Sequence, residues 1–370
     1  MDTLTHALAG AAVSDGWFRN RLGPLATPAA LVLAALPDLD IPVSWLWSPD
    51  NPWLVHRGYS HGFLPTLLAA PLVGLALARL TGRPASFQSW TLLAWSCFYS
   101  HIVLDIVTSW GTMALLPFSR SRLTLDAAPM LDIFVFSLSL ASFIGNRWLR
   151  RERVETFMNP LAKPMVRRHP RRVRWAGRLA RPAAILILCY LLVGWLQSRQ
   201  AAEIARKELA AAGIEVVETR ALPLLFTQLA WEIAARDRQG NIYNAVYSSF
   251  ARKRMRFIRR RMGSGPAVAA ALASREGERF AWFTQGMFTA ESEAASDGER
   301  VSLRDWRFFS LIPPRDPRFV LEIDFDSGLN FRASRESRTA LGGLGEELNL
   351  LWRLTFFGES GEERETPEGL

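Results

Sequence analysis

Residues 95–110 read WSCFYSHIVLDIVTSW, an apolar run in which an imidazole and a carboxylate, His101 and Asp105, stand four residues apart. A separation of four puts both side chains on one face of a helix, about one turn apart, the spacing at which two ligands can grip one ion from a rigid element. Ionisable groups inside an apolar segment are costly to keep and mark functional positions. The plain alternative is a buried His-Asp hydrogen bond. The same stretch sets the fold class, because it is one of several apolar runs, at about 3–18, 25–36, 62–80, 90–109, 130–145 and 183–197.

Those runs predict a membrane α-helical bundle of about six helices. Several are shorter than the roughly 20 residues that cross a bilayer upright, so some are expected to tilt, insert halfway or pack inside the bundle. Beyond residue 197 the pattern changes to that of a small β-rich (α+β) extramembrane domain. A short helix over 198–212 precedes a hairpin made of FTQLAWEIA (226–234) and IYNAVYSSF (242–250), turning at Gln239-Gly240-Asn241. Further strands are predicted at 279–288, 304–312 and 318–326, the last two joined by a Pro-Pro turn. The organisation expected is a membrane-embedded domain over 1–146, a basic loop over 147–182, a last transmembrane helix over 183–197 and the β-rich domain over 198–370.

The chain has 49% hydrophobic residues and a formal net charge of +9. Between Arg147 and Arg181 lie eleven arginines and Lys163 against Glu152 and Glu155, a local net of +10 that accounts for the whole excess. A basic cluster between two apolar segments follows the positive-inside rule and suits anionic lipid headgroups better than nucleic acid. Arg19, Arg21, Arg79 and Arg83 place two further loops on the same cytoplasmic side, while Arg120 and Arg122 vote weakly against. The C-terminal domain then lies outside the cytoplasm. Arg252–Arg261 (RKRMRFIRRR) reads as a solvated face. The opening MDTLTHALAG has no basic region before its apolar stretch, so it is expected to remain in the mature protein.

Cys97 and Cys189 both fall in apolar runs, which leaves no thiolate site; a metal would need His and carboxylate ligands. Four of the five histidines lie in the first 101 residues, and the ligand candidates are His6, Asp38, Asp40, His56, His61, His101 and Asp105. Asp38 and Asp40 stand in LPDLDIP, where Pro37 and Pro42 predict an extended turn with both carboxylates facing one way. In HRGYSH, Gly58 breaks the helix, Ser60 is the expected N-cap and His61 begins the third helix, leaving His56 on the preceding loop. Arg57 is a candidate for an anionic substrate group such as a phosphate, or else a headgroup-level anchor. His169 belongs to the arginine cluster.

Under the orientation read from Lys and Arg alone, all seven candidates fall toward the outer ends of their helices. Imidazole plus carboxylate suits Zn²⁺, with Mn²⁺ or Fe²⁺ as alternatives, and one or two divalent ions are expected. A bound metal would activate water for attack on an ester or phosphoester, and Asp38 or Asp40, whichever is not a ligand, would take the proton.

MDTLTH, PDLD, HRGYSH and HIVLD followed by TSWG, in that order over about residues 1–145, resemble the YdjM-like family of bacterial inner-membrane proteins, classed as metal-dependent hydrolases. The order also looks like that of the zinc-dependent phospholipase C and P1 nuclease superfamily. That likeness implies His6, Asp38 or Asp40, His61, His101 and Asp105 as ligands, with Asp105 a bridge between metals. The later HxxxE pair of that superfamily does not follow here. The expectation is a multi-pass inner-membrane hydrolase acting on a lipid or lipid-linked phosphoester. A non-enzymatic scaffold with a structural metal, or a metal-ion or proton transporter, stands beside it.

Overall fold

The computed structural model describes residues 1–47, 56–82, 84–149, 153–155, 165–167, 177–312, 315–338 and 343–359. His169, Arg83, most of the arginine cluster and the Pro-Pro turn fall outside them. Two compact units divide the chain. One comprises Met1–Leu125 and Met130–Leu192, the other Asp126–Pro129 and Val193–Leu370.

In the first unit, α1 (Thr3–Val13) is started by Asp2, whose carboxylate accepts from the Thr5 amide at 2.9 Å. A short π-helical stretch, Ser14–Phe18, leads into α2 (Arg19–Leu22), and α3 (Ala26–Ala35) returns antiparallel to α1 after Gly23. At Gly10 an added Cβ would fall 2.4 Å from the Ala34 Cβ and 2.6 Å from the Ala30 carbonyl oxygen, so only glycine lets these helices approach so closely. Gly74 serves α5 (Phe63–Leu80) and α6 (Phe87–Ile106) in the same way, since a Cβ there would lie 2.7 Å from the Thr91 backbone. Trp90, Leu93, Ala94, Cys97 and Phe98 of α6 form the centre of this core, packed against Leu22, Ala26, Ala30, Ala34, Ala70 and Ala78.

LPDLDIP is not an extended turn. Leu36–Leu39 makes one 3-10 turn and α4 (Asp40–Trp47) continues from it, so that Ala26–Ser44 runs as one apolar helical span. The prolines allow this because Pro37 opens the 3-10 turn and Pro42 sits in the first turn of α4, where a missing N–H costs nothing. The third long helix also begins later than expected. Tyr59–His61 is a separate 3-10 turn and Gly62 caps α5 without a side-chain hydrogen bond.

Three helices among the described residues are long and apolar enough to cross a membrane: Ala26–Ser44, Phe63–Leu80 and Ala180–Ala211. The apolar α7 (Ile133–Leu149) is shorter, at 17 residues. Three candidate spans are thus found among the described residues, where six apolar runs suggested six. With 11 residues, α1 reaches about 16 Å at 1.5 Å per residue, near half the hydrocarbon thickness. After the short antiparallel pair β1 (Arg153–Glu155) and β2 (Met165–Arg167), α8 (Ala180–Ala211) runs as one continuous 32-residue helix. It joins the segments expected as a last transmembrane helix and a separate short helix.

The second unit holds two antiparallel four-stranded sheets. The first contains β3 (Val216–Pro223), β4 (Ala230–Asp237), β5 (Ile242–Ser248) and β6 (Ile258–Arg260) in sequence order. Ala201, Ala205 and Leu209 of α8 pack with Trp231, Ile233 and Tyr243. The predicted hairpin turn is made by Asp237, whose Oδ1 accepts from the Gln239 and Asn241 amides at 2.9 Å each. The second sheet has the order β10-β9-β8-β7, from β7 (Phe288–Ala295), β8 (Gly298–Phe309), β9 (Pro317–Asp326) and β10 (Phe331–Arg338). Its core includes Val301, Leu303, Leu321 and Ile323 with Ala267, Val268 and Ala271 of α9 (Pro266–Ala273).

The strand expected at 279–288 is instead mostly helix, α10 (Arg275–Thr284). Ser274 caps it by accepting from the Gly277 amide, Glu276 and Glu278 lie in its first turn, and Gln285 ends it in the left-handed conformation. Phe280, Phe283 and Thr284 form its buried stripe, and only Phe288, at the far end of the predicted strand, begins β7. The basic run 252–261 is not wholly a solvated face either, because Met255, Phe257 and Ile258 are buried and 258–260 form β6. The chain's last described helix is α11 (Leu344–Phe357).

Candidate metal centre

Three segments bring four histidines and aspartates of the first unit together. His101 and Asp105 project from α6, both fully buried. Asp38 comes from the 3-10 turn after α3, and His61 from the 3-10 turn before α5. One ligand atom from each of Asp38, His61, His101 and Asp105 lies within 4.8 Å of every other.

Proton placement follows from the outward nitrogens. His101 Nδ1 lies 2.6 Å from the Ala34 carbonyl oxygen, which can only accept, so this nitrogen donates and Nε2 carries a lone pair. His61 Nδ1 faces Ser60 Oγ at 2.9 Å and Asp40 Oδ2 at 3.2 Å, while Ser60 Oγ itself donates to Asp40 Oδ2 at 2.6 Å. His61 therefore also donates through Nδ1, and in the neutral ring its Nε2 is a second acceptor. These two Nε2 atoms stand 3.0 Å apart. From His61 Nε2 the distances are 3.6 Å to Asp38 Oδ1 and 3.2 Å to Asp105 Oδ2; from His101 Nε2 they are 3.4 and 3.5 Å. With both rings neutral, four acceptors converge, and Asp105 Oδ2 is left without a hydrogen-bond partner. Such a set calls for positive charge at its centre, which a metal ion or a proton held by the rings can supply. Three of the five edges, at 3.4, 3.5 and 3.6 Å, match a tetrahedral ion, whose bonds of about 2.0–2.2 Å hold donors roughly 3.3–3.6 Å apart; the 3.0 and 3.2 Å edges at His61 are shorter.

The remaining candidates surround this set in different ways. Asp40 does not share the direction of Asp38. Its Oδ1 lies 2.6 Å from His56 Nδ1, and its Oδ2 accepts from Ser60 and, at 3.1 Å, from the Arg57 amide. Asp40, His56 and His61 form a second possible ligand group that shares His61 with the first. With His61 donating through Nδ1, Asp40 fixes it from behind, as carboxylates commonly do for metal-bound imidazoles. His6 stacks on His101 with ring centroids 3.7 Å apart and places Nε2 3.2 Å from Asp105 Oδ1, the oxygen turned away from the four-donor set. The Met1 α-amino group reaches the same oxygen at 2.5 Å.

Arg57 is buried, in a left-handed backbone conformation at φ 66°. One guanidinium nitrogen lies 2.9 Å from Asp105 Oδ1, and another donates to Thr108 Oγ1 at 3.0 Å. Its groups are thus turned onto the site's own carboxylate, and its backbone oxygen accepts from the Met113 amide, tying HRGYSH to the segment after TSWG. Thr3, which donates to Asp38 Oδ2 at 2.6 Å, and Thr108 had not been singled out from the sequence. Their signal was only adjacency, Thr3 within MDTLTH and Thr108 opening TSWG. Ser60 was read as a helix cap and serves Asp40 instead.

The fold and this cluster define a membrane protein with a buried His/Asp centre of metal-ligand type. The model of the YdjM inner membrane protein family matches residues 1–201, and the chain belongs to that family. Over 163 residues it is 31% identical to "Uncharacterized protein YfhP" of Bacillus subtilis (strain 168), an alignment covering 38% of this chain and 45% of that protein. The likeness to zinc-dependent phospholipase C and P1 nuclease finds no support in these matches, and no solved structure matches the chain.

Proposed function

We propose that this chain is a membrane-bound metal-dependent hydrolase of a phosphoester or related bond in a lipid or lipid-linked substrate. The observation that carries the reading is the convergence of four buried ligand-type side chains, Asp38, His61, His101 and Asp105, inside an apolar bundle. A divalent ion held there would supply Lewis acidity and lower the pKa of bound water. Asp38, His61, His101 and Asp105 would be its ligands. Asp40 holds His61 in the ligating tautomer and His56 by Nδ1, so that the other ring nitrogen of His56 is placed to take and return a proton. Asp40 and His56 are the more accessible members of the cluster, with side chains 15% and 10% exposed, and substrate would approach from their side. Arg57 keeps Asp105 ionised and oriented rather than meeting substrate directly.

Metal analysis of the full-length protein in detergent, beside a panel of phosphodiesters and phospholipids, tests this. One or two divalent ions per chain and chelator-sensitive cleavage of at least one substrate are expected. A second reading, a scaffold with a structural metal, is favoured by one feature: four protein donors already fill a tetrahedral zinc, leaving room for water only if coordination expands. Bound metal with no cleavage, and a lower melting temperature after chelation, would select that reading. Protein free of metal would sink both.

The orientation belongs to the same proposal. The +10 cluster supports a cytoplasmic 147–181 loop against anionic headgroups, with the C-terminal domain outside. An alkaline phosphatase fused after the last residue should be active in cells. Activity of a cytoplasm-only reporter at the same position would reverse the topology.

A further inference from the structure

The second unit has one end marked by its attachment to a membrane-type helix. Val193–Leu196, the final apolar turn of α8, belongs to this unit, and Gly194 is pressed against Gln228, whose amide nitrogen would lie 2.4 Å from a Cβ there. Gln228 sits in the β3–β4 connection, and Leu229 next to it accepts through its carbonyl from the Ser249 amide at 2.8 Å. Ser248 Oγ in turn donates to the Thr355 carbonyl of α11 at 2.6 Å. The end of α11, the β5 end and the last apolar turn of α8 are therefore linked side by side.

This end carries unpartnered aromatic surface. Phe250, Trp352 and Phe357 are 62%, 59% and 55% exposed, gathered around Phe356, whose ring lies 5.6 Å from Phe250 and 4.3 Å from Trp352. Beside them Arg252, Lys253 and Arg254 are all exposed. The Lys253 side chain lies against the α11 terminus, where a Cβ on Gly358 would come within 2.8 Å of it. Exposed Trp and Phe bordered by Arg and Lys, at the level where an apolar helix ends, match the headgroup region of a bilayer in both polarity and charge.

We infer that Phe250, Trp352 and Phe357, with Arg252, Lys253 and Arg254, form a lipid-docking face that seats the β-sheet unit on an anionic bilayer surface. The stretch that sequence reading gave to solvent is, at its N-terminal end, the charged rim of this face. The inference rests on the membrane attachment of the chain and not on hydrolysis.

Full-length protein in nanodiscs tests it. In a Cys189→Ser background, an environment-sensitive fluorophore is attached at Phe250→Cys, Trp352→Cys or Arg238→Cys, and quenching by doxyl-labelled lipid is read. Arg238 is the control, 76% exposed on the β4–β5 turn at the opposite end of the sheet. With about 30% anionic lipid, quenching at 250 and 352 should exceed that at 238 by about threefold or more. Zwitterionic discs, or the combined Arg252→Gln, Lys253→Gln and Arg254→Gln variant, should reduce it toward the control, because each basic residue at an anionic surface is worth roughly fivefold in the docked-to-undocked ratio. Equal quenching at all three positions, or quenching indifferent to lipid charge and to the triple variant, overturns the inference. So does shielding of the labels without lipid quenching in particles of doubled mass, which would assign the face to a second copy of the chain.

Discussion

Full-length protein carrying His101→Ala is expected to purify without its metal, with affinity reduced well beyond the 10- to 100-fold typical of losing a group that only supports a ligand. The set has four donors and no spare, and His101 Nε2 is a vertex of every edge measured except the two from His61 to the carboxylates. This substitution leaves the Arg57–Asp105 pair intact, so loss of metal can be separated from loss of fold. Asp105→Asn should lose metal as well and should also destabilise the bundle, because the fully buried Arg57 is left without its counter-ion at a cost of about 3–5 kcal/mol. Metal content by mass spectrometry, read beside thermal melting, distinguishes the two effects. Full occupancy in both variants would reduce His101 and Asp105 to a structural hydrogen-bonded pair.

Asp38→Asn and Asp40→Asn are expected to part ways. Asp38 Oδ1 faces both Nε2 lone pairs, and its replacement should abolish binding along with any turnover. Asp40 touches the set only through His61 Nδ1, so its replacement should leave metal bound with about 10- to 100-fold weaker affinity. Turnover on the best substrate should fall by about 10²- to 10⁴-fold, because His56 loses the carboxylate that holds its ring. Metal content and rate for both variants in one detergent decide the matter. Equal loss of metal in the two would make Asp40 a ligand and favour two ions sharing His61; unchanged metal and rate in both would leave PDLD a structural turn.

The residues of the centre were legible in the sequence because membrane context makes each ionisable group conspicuous. His101 and Asp105 needed only helical periodicity to be paired. What the sequence did not disclose was direction. Asp38 and Asp40 look equivalent in an extended PDLD, but a 3-10 turn running into α4 separates them, turning one toward the metal set and the other toward His56. Likewise Arg57 looked available to substrate until its left-handed backbone turned it onto Asp105. In the β-rich unit most of 279–288 is helix rather than the expected strand, because the Ser274 cap and the acidic first turn outweigh its aromatic content. β10, FRASRESR, has no β-branched residue, and in β3, VVETRALP, charges interrupt the β-branched residues and a proline ends the strand, so neither carried a strand signal.

The four donors come from segments at residues 38, 61 and 101–105, and none of these segments alone offers more than two of them. Any ion held there ties three stretches of helix and turn into one knot, so its affinity is inseparable from the free energy of packing the bundle. During synthesis Asp38 and His61 emerge well before α6, and a metal met at that stage would find only half a site. Retention of an ion there would report assembly: a chain that kept it would have docked α6 against α3 and α5, and a misassembled chain would carry none.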